Sequence, residues 1–392
     1  MTTTAEAQAA EGLTPCRALA RIYDGDELVA ETRNAVSTTF PEIHGRILVP
    51  KADLGDQAPR LSAYVLEERN GPDGPLVALD HTKLRIVLYD TLPGWRDGGM
   101  GNPCRFPRWG DAQQLLWMMD AQRIGVDLFE TPSYDETRRN VVEAGQVMGA
   151  QIVAASRSIP DKRVTSIHTV LSRPAVFDKP IRLRPAFPRL GRNFATVTVE
   201  SEQEGKSVAS SLILMDKGAE DVIRSQAPMP DVPGPDESPD YDYRMSGRFS
   251  RFVDDAYAAN PDRVGPPEIQ SWVRFREQPT ELCLKQALLA QYVGHMTIAA
   301  AMRPHKGITE KLAHESLSTG ILAVTIDFHD EPDLTDWMLY SNPAIYAGRG
   351  LAQGQGMVFA RGGQLLASYT VQAMIRRFEQ DPASLGDGNR RM

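Results

Sequence analysis

Two stretches of this chain, about 158 positions apart, carry the same pattern, and that repetition limits the folds open to it. GRNFATVTVESEQEGKSVASSLILM (191–215) and GRGLAQGQGMVFARGGQLLASYTVQAM (348–374) both begin Gly-Arg and run through a strand-like segment. Each turns at a glycine, Gly205 or Gly363, and leaves on Val-Ala-Ser or Leu-Ala-Ser, so that Ala209 falls on Ala367. Pro174, ending SRP, falls likewise on Pro332, ending DEP. An alanine-rich helical segment precedes each block. A helix followed by several long strands, written twice, predicts two copies of one α+β unit packed together.

The rest of the chain is arranged around these copies. Residues 1–15 read as a flexible tail and residues 16–112 as a small β-rich module. RALARIYDG, LVAETR, RILVP, SAYVLEE, LVALD and KLRIVLYD alternate between turn residues. The stretch 93–111, PGWRDGGMGNPCRFPRWGD, reads as a loop pinned by its aromatics, although Arg with Trp also suits a phosphate and a base. A helix is predicted from Asp111, a capping residue, with Leu115, Met118, Met119 and Gln122 at helical spacing. A second covers 141–156, where Ala144, Gly145, Gly149 and Ala150 let a sheet come close. Strands follow at about 164–172, 180–188, 192–201 and 206–215, completing a first domain over 113–216. Five prolines within Pro228–Pro239 mark 217–265 as an extended linker. The second domain, 266–380, holds SWVRFRE, a helix over 280–301 and strands around 321–329, 337–342, 350–359 and 364–376. Residues 381–392 form a tail.

Composition narrows the function. The 392 residues carry 43 Lys+Arg against 51 Asp+Glu, a net charge of −8, with no long basic run, which argues against a nucleic-acid binder. Cys16, Cys104 and Cys283 stand in no paired spacing, as expected of reduced thiols in a cytoplasmic protein and not of a zinc or disulfide framework. The first residues lack the basic start and apolar core of a secretory signal. No window approaches 18 consecutive apolar residues, so no membrane span is expected.

Specific text then carries a likeness. LLWMMDAQRIGVDLFE (115–130), GQVMGAQIVAAS (145–156), RVTSIHTVLSRP (163–174) and the 191–215 block resemble the first half of acyl-CoA thioesterase II, the double hot-dog thioesterases. PPEIQSWVRFRE, the RPH that ends a helix (303–305), the FH before DEPDLTDWMLYS, and YAGRG with LLASYTVQAMIR resemble its second half. The likeness covers about 113–378. It implies an α+β double hot-dog, two tandem repeats each with a long helix wrapped by an antiparallel sheet, the sheets joined into one surface. The β-rich front is an additional module. The resemblance also implies acyl-CoA or acyl-carrier-protein thioesters as substrates, no cofactor beyond the coenzyme A of the substrate, no metal, and a homo-oligomer.

Thioester hydrolysis needs a positioned, deprotonated water and donors for the oxyanion. The resemblance implies an Asp, a Gln and a Ser or Thr from the second repeat. Gln372, in TVQAMIR, matches the Gln. The Asp has three registers. Ser316-Leu317 of the expected Ser-Leu-Asp-His text is followed by Ser318 and Thr319; an ungapped count back from Trp337 gives Ala323; a shorter alignment gives Asp327. Ser341 and Tyr346, with Asn342, are the polar residues where the hydroxyl is expected. Glu143, at the start of the first-repeat helix where the family has an aromatic, reads either as a general base or as a first-turn carboxylate favoured by the helix dipole. His168, Ser318, Thr319, His329 and Arg349 are the candidate substrate contacts; His168 reads more readily as a packing or hydrogen-bonding residue, His329 as a strand-end polar residue bordering the acyl channel, and Arg349 as a contact for substrate phosphate. The leading expectation is an acyl-thioester hydrolase. A hot-dog dehydratase, cyclase or acyl-transfer enzyme, and a non-catalytic thioester-binding protein, stay open.

Overall fold

The computed structural model describes residues 13–15, 19–25, 27–32, 36–38, 47–71, 74–80, 83–89, 112–132, 142–176, 179–241, 247–255, 262–309, 312–313 and 316–378. The whole 93–111 stretch, with the cap Asp111 and Cys104, and Cys16 lie outside the described residues. The chain divides into two compact units. One comprises Met1–Leu115, Glu136–Arg138 and Tyr241–Ser250, the other Leu116–Asp135, Arg139–Asp240 and Arg251–Met392.

The first unit is the expected β-rich module. Glu27–Thr32, Leu19–Asp24 and Arg85–Tyr89 form a three-stranded sheet in that order. Leu13–Pro15, Val36–Thr38, Ile47–Pro50, Gly74–Leu79 and Val65–Gly71 form a five-stranded one. The strand text of SAYVLEE begins only at Val65, because Ser62–Tyr64 closes a 3-10 turn in which Ser62 Oγ donates to the Pro59 carbonyl at 2.6 Å. Ala20, Ile22, Val49, Leu54, Leu61 and Val77 bury one shared core beneath both sheets.

In the second unit the first repeat contains β1 (Gln122–Gly125), β2 (Leu128–Glu130), α1 (Ala144–Ser158), β3 (Arg163–Leu171), β4 (Arg182–Leu190), β5 (Phe194–Gln203) and β6 (Lys206–Asp216). The second repeat contains β7 (Glu268–Phe275), α2 (Leu282–Tyr292), α3 (Thr297–Met302), β8 (Leu317–Phe328), β9 (Met338–Gly348), β10 (Leu351–Ala360) and β11 (Leu365–Arg377). These strands belong to one thirteen-stranded sheet and run in the order β7-β9-β10-β11-β8-β3-β6-β5-β4-β2-β1. The two repeats therefore meet at their first long strands, β8 against β3, with Ala323 opposite Val170 and Asp327 opposite Ser166. Both glycine turns of the repeated text are hairpin turns, Gly205 between β5 and β6 and Gly363 between β10 and β11. This is the double hot-dog, with its sheets fused.

Residues 145–155 of α1 are all buried, as a helix wrapped on every side must be. Its small residues serve a helix as well as the sheet. A Cβ on Gly145 would lie 2.4 Å from the Gln291 carbonyl oxygen, and one on Gly149 would lie 3.3 Å from the Ala287 Cβ, so α1 and α2 cross antiparallel at near contact. Inside the first repeat Gln151 ties the helix to two strands, donating to Ser201 Oγ and accepting from Thr169 Oγ1, each at 2.9 Å.

Further sequence expectations change. Leu13–Pro15 is a strand within the expected tail, and Asp240–Tyr241 and Arg248–Phe252 are strands within the expected linker. The helix from Asp111 stops at Met119, and Gln122–Gly125 is strand β1. The single helix over 280–301 is two. Val293 turns extended (φ −62°, ψ 132°) and Gly294 adopts φ +83°, where its Cα sits against Val371; a Cβ there would meet Val371 Cγ2 at 3.2 Å. Only glycine makes that turn without strain.

The proline-rich stretch runs without helix or strand over 217–234, and it is held down. Gln226 donates to the Gly363 carbonyl at 2.6 Å and accepts from the Leu365 N–H at 3.0 Å. Arg224 pairs with Asp330 at 2.5 Å, Trp272 Nε1 donates to the Pro233 carbonyl at 2.9 Å, and Arg361 pairs with Asp236 at 2.8 Å. Extended proline-rich backbone makes no internal hydrogen bonds, so the segment is fastened by its own side chains Arg224, Gln226 and Asp236 and by the Trp272 bond to its backbone.

Candidate active site

The outer face of the fused sheet collects several of the sequence candidates. Val371 packs toward Gly294, so its neighbour Gln372 points away from the helices and is exposed. Gln372 lies opposite Gln353 on β10 and opposite Ala323 on β8, and Gln353 lies opposite Tyr346 on β9. Tyr346, Gln353, Gln372 and Ala323 thus stand side by side on four strands. Three can hydrogen-bond a water and none is a carboxylate. Asp327 lies on the same face opposite Ser368, four residues or roughly 13 Å along the strand from that row.

The other candidates are dispersed. His168 is exposed, its Nδ1 2.8 Å from Thr325 Oγ1; His329 is exposed, its Nε2 3.0 Å from Ser368 Oγ. These are cross-strand pairs to hydroxyls, and among the described residues neither ring pairs with a carboxylate. Ser318 lies opposite Arg376, and Thr319 is buried opposite Ile375. Arg349 is exposed at φ 55° in the β9–β10 turn. Ser341 is half-buried, and its carbonyl accepts from the Tyr369 hydroxyl at 3.2 Å. Tyr369 also bonds Asn342 Oδ1, and burial pushes its phenol well above the ordinary tyrosine value, so it stays a neutral donor.

A separate centre forms where the helices cross. Glu143 is the N-cap of α1, yet its side chain makes no capping bond. Its Oε2 instead accepts from Gln291 Nε2 at 2.5 Å, and its Oε1 lies 3.9 Å from His295 Nε2. The imidazole stacks on Tyr292, with ring centroids 5.1 Å apart and planes 11° from parallel. Tyr292 meets Tyr340 edge-on at 4.9 Å, and the Tyr340 hydroxyl donates to the Leu289 carbonyl at 3.1 Å. The helix break at Gly294 puts His295 here. Glu143 is two-fifths exposed and His295 about one-quarter, so a small molecule has access. The Ala144 and Gly145 N–H groups open the helix with no acceptor among the described residues, as first-turn donors do. Gln291 and His295 were not singled out from sequence; the only local sign was a glycine inside helical text.

Among the described residues no group of three or more His, Cys, Asp and Glu is placed to hold a metal ion, and no helix is long and apolar enough to cross a membrane.

Comparison with known proteins agrees with this architecture. Residues 135–215 match the acyl-CoA thioesterase N-terminal domain and residues 224–375 the acyl-CoA thioesterase C-terminal domain. The chain is 30% identical over 292 residues to acyl-CoA thioesterase 2 of Haemophilus influenzae, covering 67% of this chain and 96% of that one. It is 24% identical over 294 residues to acyl-coenzyme A thioesterase 8 of Mus musculus, covering 68% and 91%. The crystal structure of an acyl-CoA thioesterase II from Mycobacterium marinum shares the fold, with a TM-score of 0.57 at 24% identity over 68% of this chain and 99% of that one.

Proposed function

The chain belongs to the acyl-CoA thioesterase family of double hot-dog proteins, and from that premise we propose that it hydrolyses acyl thioesters of coenzyme A or an acyl-carrier protein. The observation that carries this reading is the pair of family domains, matched in order on two repeats fused through β3 and β8. Hydrolysis asks for a water held near the thioester carbon, a base for its proton and donors for the carbonyl oxygen. The Gln372 row offers amides and a phenol, while the start of α1 offers a carboxylate and unpaired N–H groups. Val170, Leu212 and Leu214, exposed on the outer face, support assembly as a homo-oligomer. The three cysteines without paired spacing fit a cytoplasmic site of action.

Thiol release from acyl-CoAs of graded chain length, and from an acyl-carrier-protein thioester, tests the reaction. Turnover is expected on at least one of them. A second reading has one specific support: Ala323 faces Gln372, so the outer row cannot take a proton from water. If no thioester releases thiol but a non-hydrolysable acyl-CoA analogue binds, the protein is a thioester-binding member of the family.

A further inference from the structure

We infer that the reacting water is held at the crossing of the two helices, between Glu143 and His295, with Glu143 as the general base. The inference rests on the hydrolase reading and deepens it by naming the base.

Four features lie at this helix start and crossing. First, Glu143 opens α1, yet its carboxylate makes no bond to that helix and reaches across to α2 instead. Second, one carboxylate oxygen is fixed by Gln291 while the other faces His295 across 3.9 Å, too long for a direct hydrogen bond and a span that one water bonded to both would bridge. Third, the Ala144 and Gly145 N–H groups stand at the adjacent helix start, where a developing oxyanion is stabilised. Fourth, Gln146 in the same first turn is 3% exposed, and its Oε1 has no hydrogen-bond partner among the described residues. The outer row cannot share this water, because Gln372 points to the opposite side of the sheet from Val371 and the helices.

The step balances without any added reactant. Glu143 takes a proton from the water as the water oxygen bonds to the thioester carbon, and the carbonyl oxygen becomes an oxyanion facing the first-turn N–H groups. When the carbonyl re-forms, the C–S bond breaks and its electron pair leaves on sulfur, which takes the proton back from the Glu143 carboxyl. The products are a carboxylic acid and a thiol. His295 is the water's second partner, and Gln291 is a positioning residue that fixes the Glu143 rotamer.

The test uses the full chain and the best acyl-CoA substrate, with kcat and KM separated and folding checked by thermal melting. Glu143→Gln is expected to lower kcat by about 100-fold or more with KM within about threefold. Glu143→Asp, which keeps a carboxylate, should recover part of the loss. Gln291→Leu should lower kcat without moving KM, whereas a merely structural role would lower the melting temperature and leave kcat of the folded enzyme intact. The inference falls if Glu143→Gln stays within about threefold of the wild type, or if Gln372→Ala abolishes turnover while Glu143→Gln does not. Absence of thiol release by the wild-type chain is a different result: it overturns the hydrolase reading itself, and the inference with it.

Discussion

Tyr369 couples a single hydroxyl to the pH range over which the second repeat holds together. Its phenol is bonded to Asn342 Oδ1 and the Ser341 carbonyl, and burial first, then the neighbouring Tyr340 and Tyr292, raise its pKa in the folded state. The ordinary phenol titrates near pH 10 in an unfolded chain. A group raised on folding contributes its full stability below the unfolded value and loses it as pH climbs toward the folded one. Denaturant unfolding is therefore expected to become easier above about pH 10. Tyr369→Phe should flatten that dependence yet cost ~1–3 kcal/mol at pH 7, because the buried Asn342 Oδ1 loses a donor. Equal slopes in the two proteins would show that other groups control the alkaline limb. At this scale the candidate site was half legible. Glu143 stands out as a carboxylate at a helix start, but its partners are 148 residues or more away, and no local pattern reports a side-chain pair across two helices.

At the scale of elements, the helices show why glycine spacing was readable and its purpose was not. Gly145 and Gly149 mark a face that something approaches closely, and the sequence alone suggested a sheet. The partner is α2, at atomic contact along a crossing that also carries Gln291. Gly145→Ala gains about 1 kcal/mol of helix propensity but drives a methyl into the Gln291 backbone. A net loss of ~1–3 kcal/mol is expected, with a smaller effect for Gly149→Ala, where the nearest atom is the flexible Met119 sulfur. Denaturant melts of the two variants check the order; an unchanged or more stable Gly145→Ala protein would refute this account of the crossing. The break between α2 and α3 was missed for a related reason. The apolar, alanine-rich text of 280–301 suits a continuous helix, and only the approach of Val371 makes the left-handed Gly294 decisive.

Across the whole molecule, one sheet joins both repeats and the proline-rich stretch lies along the second as a strap. Because Arg224 and Gln226 anchor it, replacing both with Ala should expose 217–234 to proteolytic nicking before either repeat is cut, with the wild-type strap resisting longer. Equal rates of cutting would mean that the prolines alone keep the segment in place. The sequence by itself determined the duplicated α+β unit, the strand-rich front module, the glycine hairpins and the family likeness. All of these rest on periodicity or on short-range spacing, which neighbouring residues encode directly. Only the tertiary structure decided which polar residues meet. Register between β8 and β11 sets Ala323 and not Asp327 against Gln372, and the antiparallel crossing of α1 with α2 brings Glu143 to Gln291 and His295. Those juxtapositions depend on a bulge, a helix break and a glycine contact between segments far apart in the chain, where packing rather than local propensity selects the geometry.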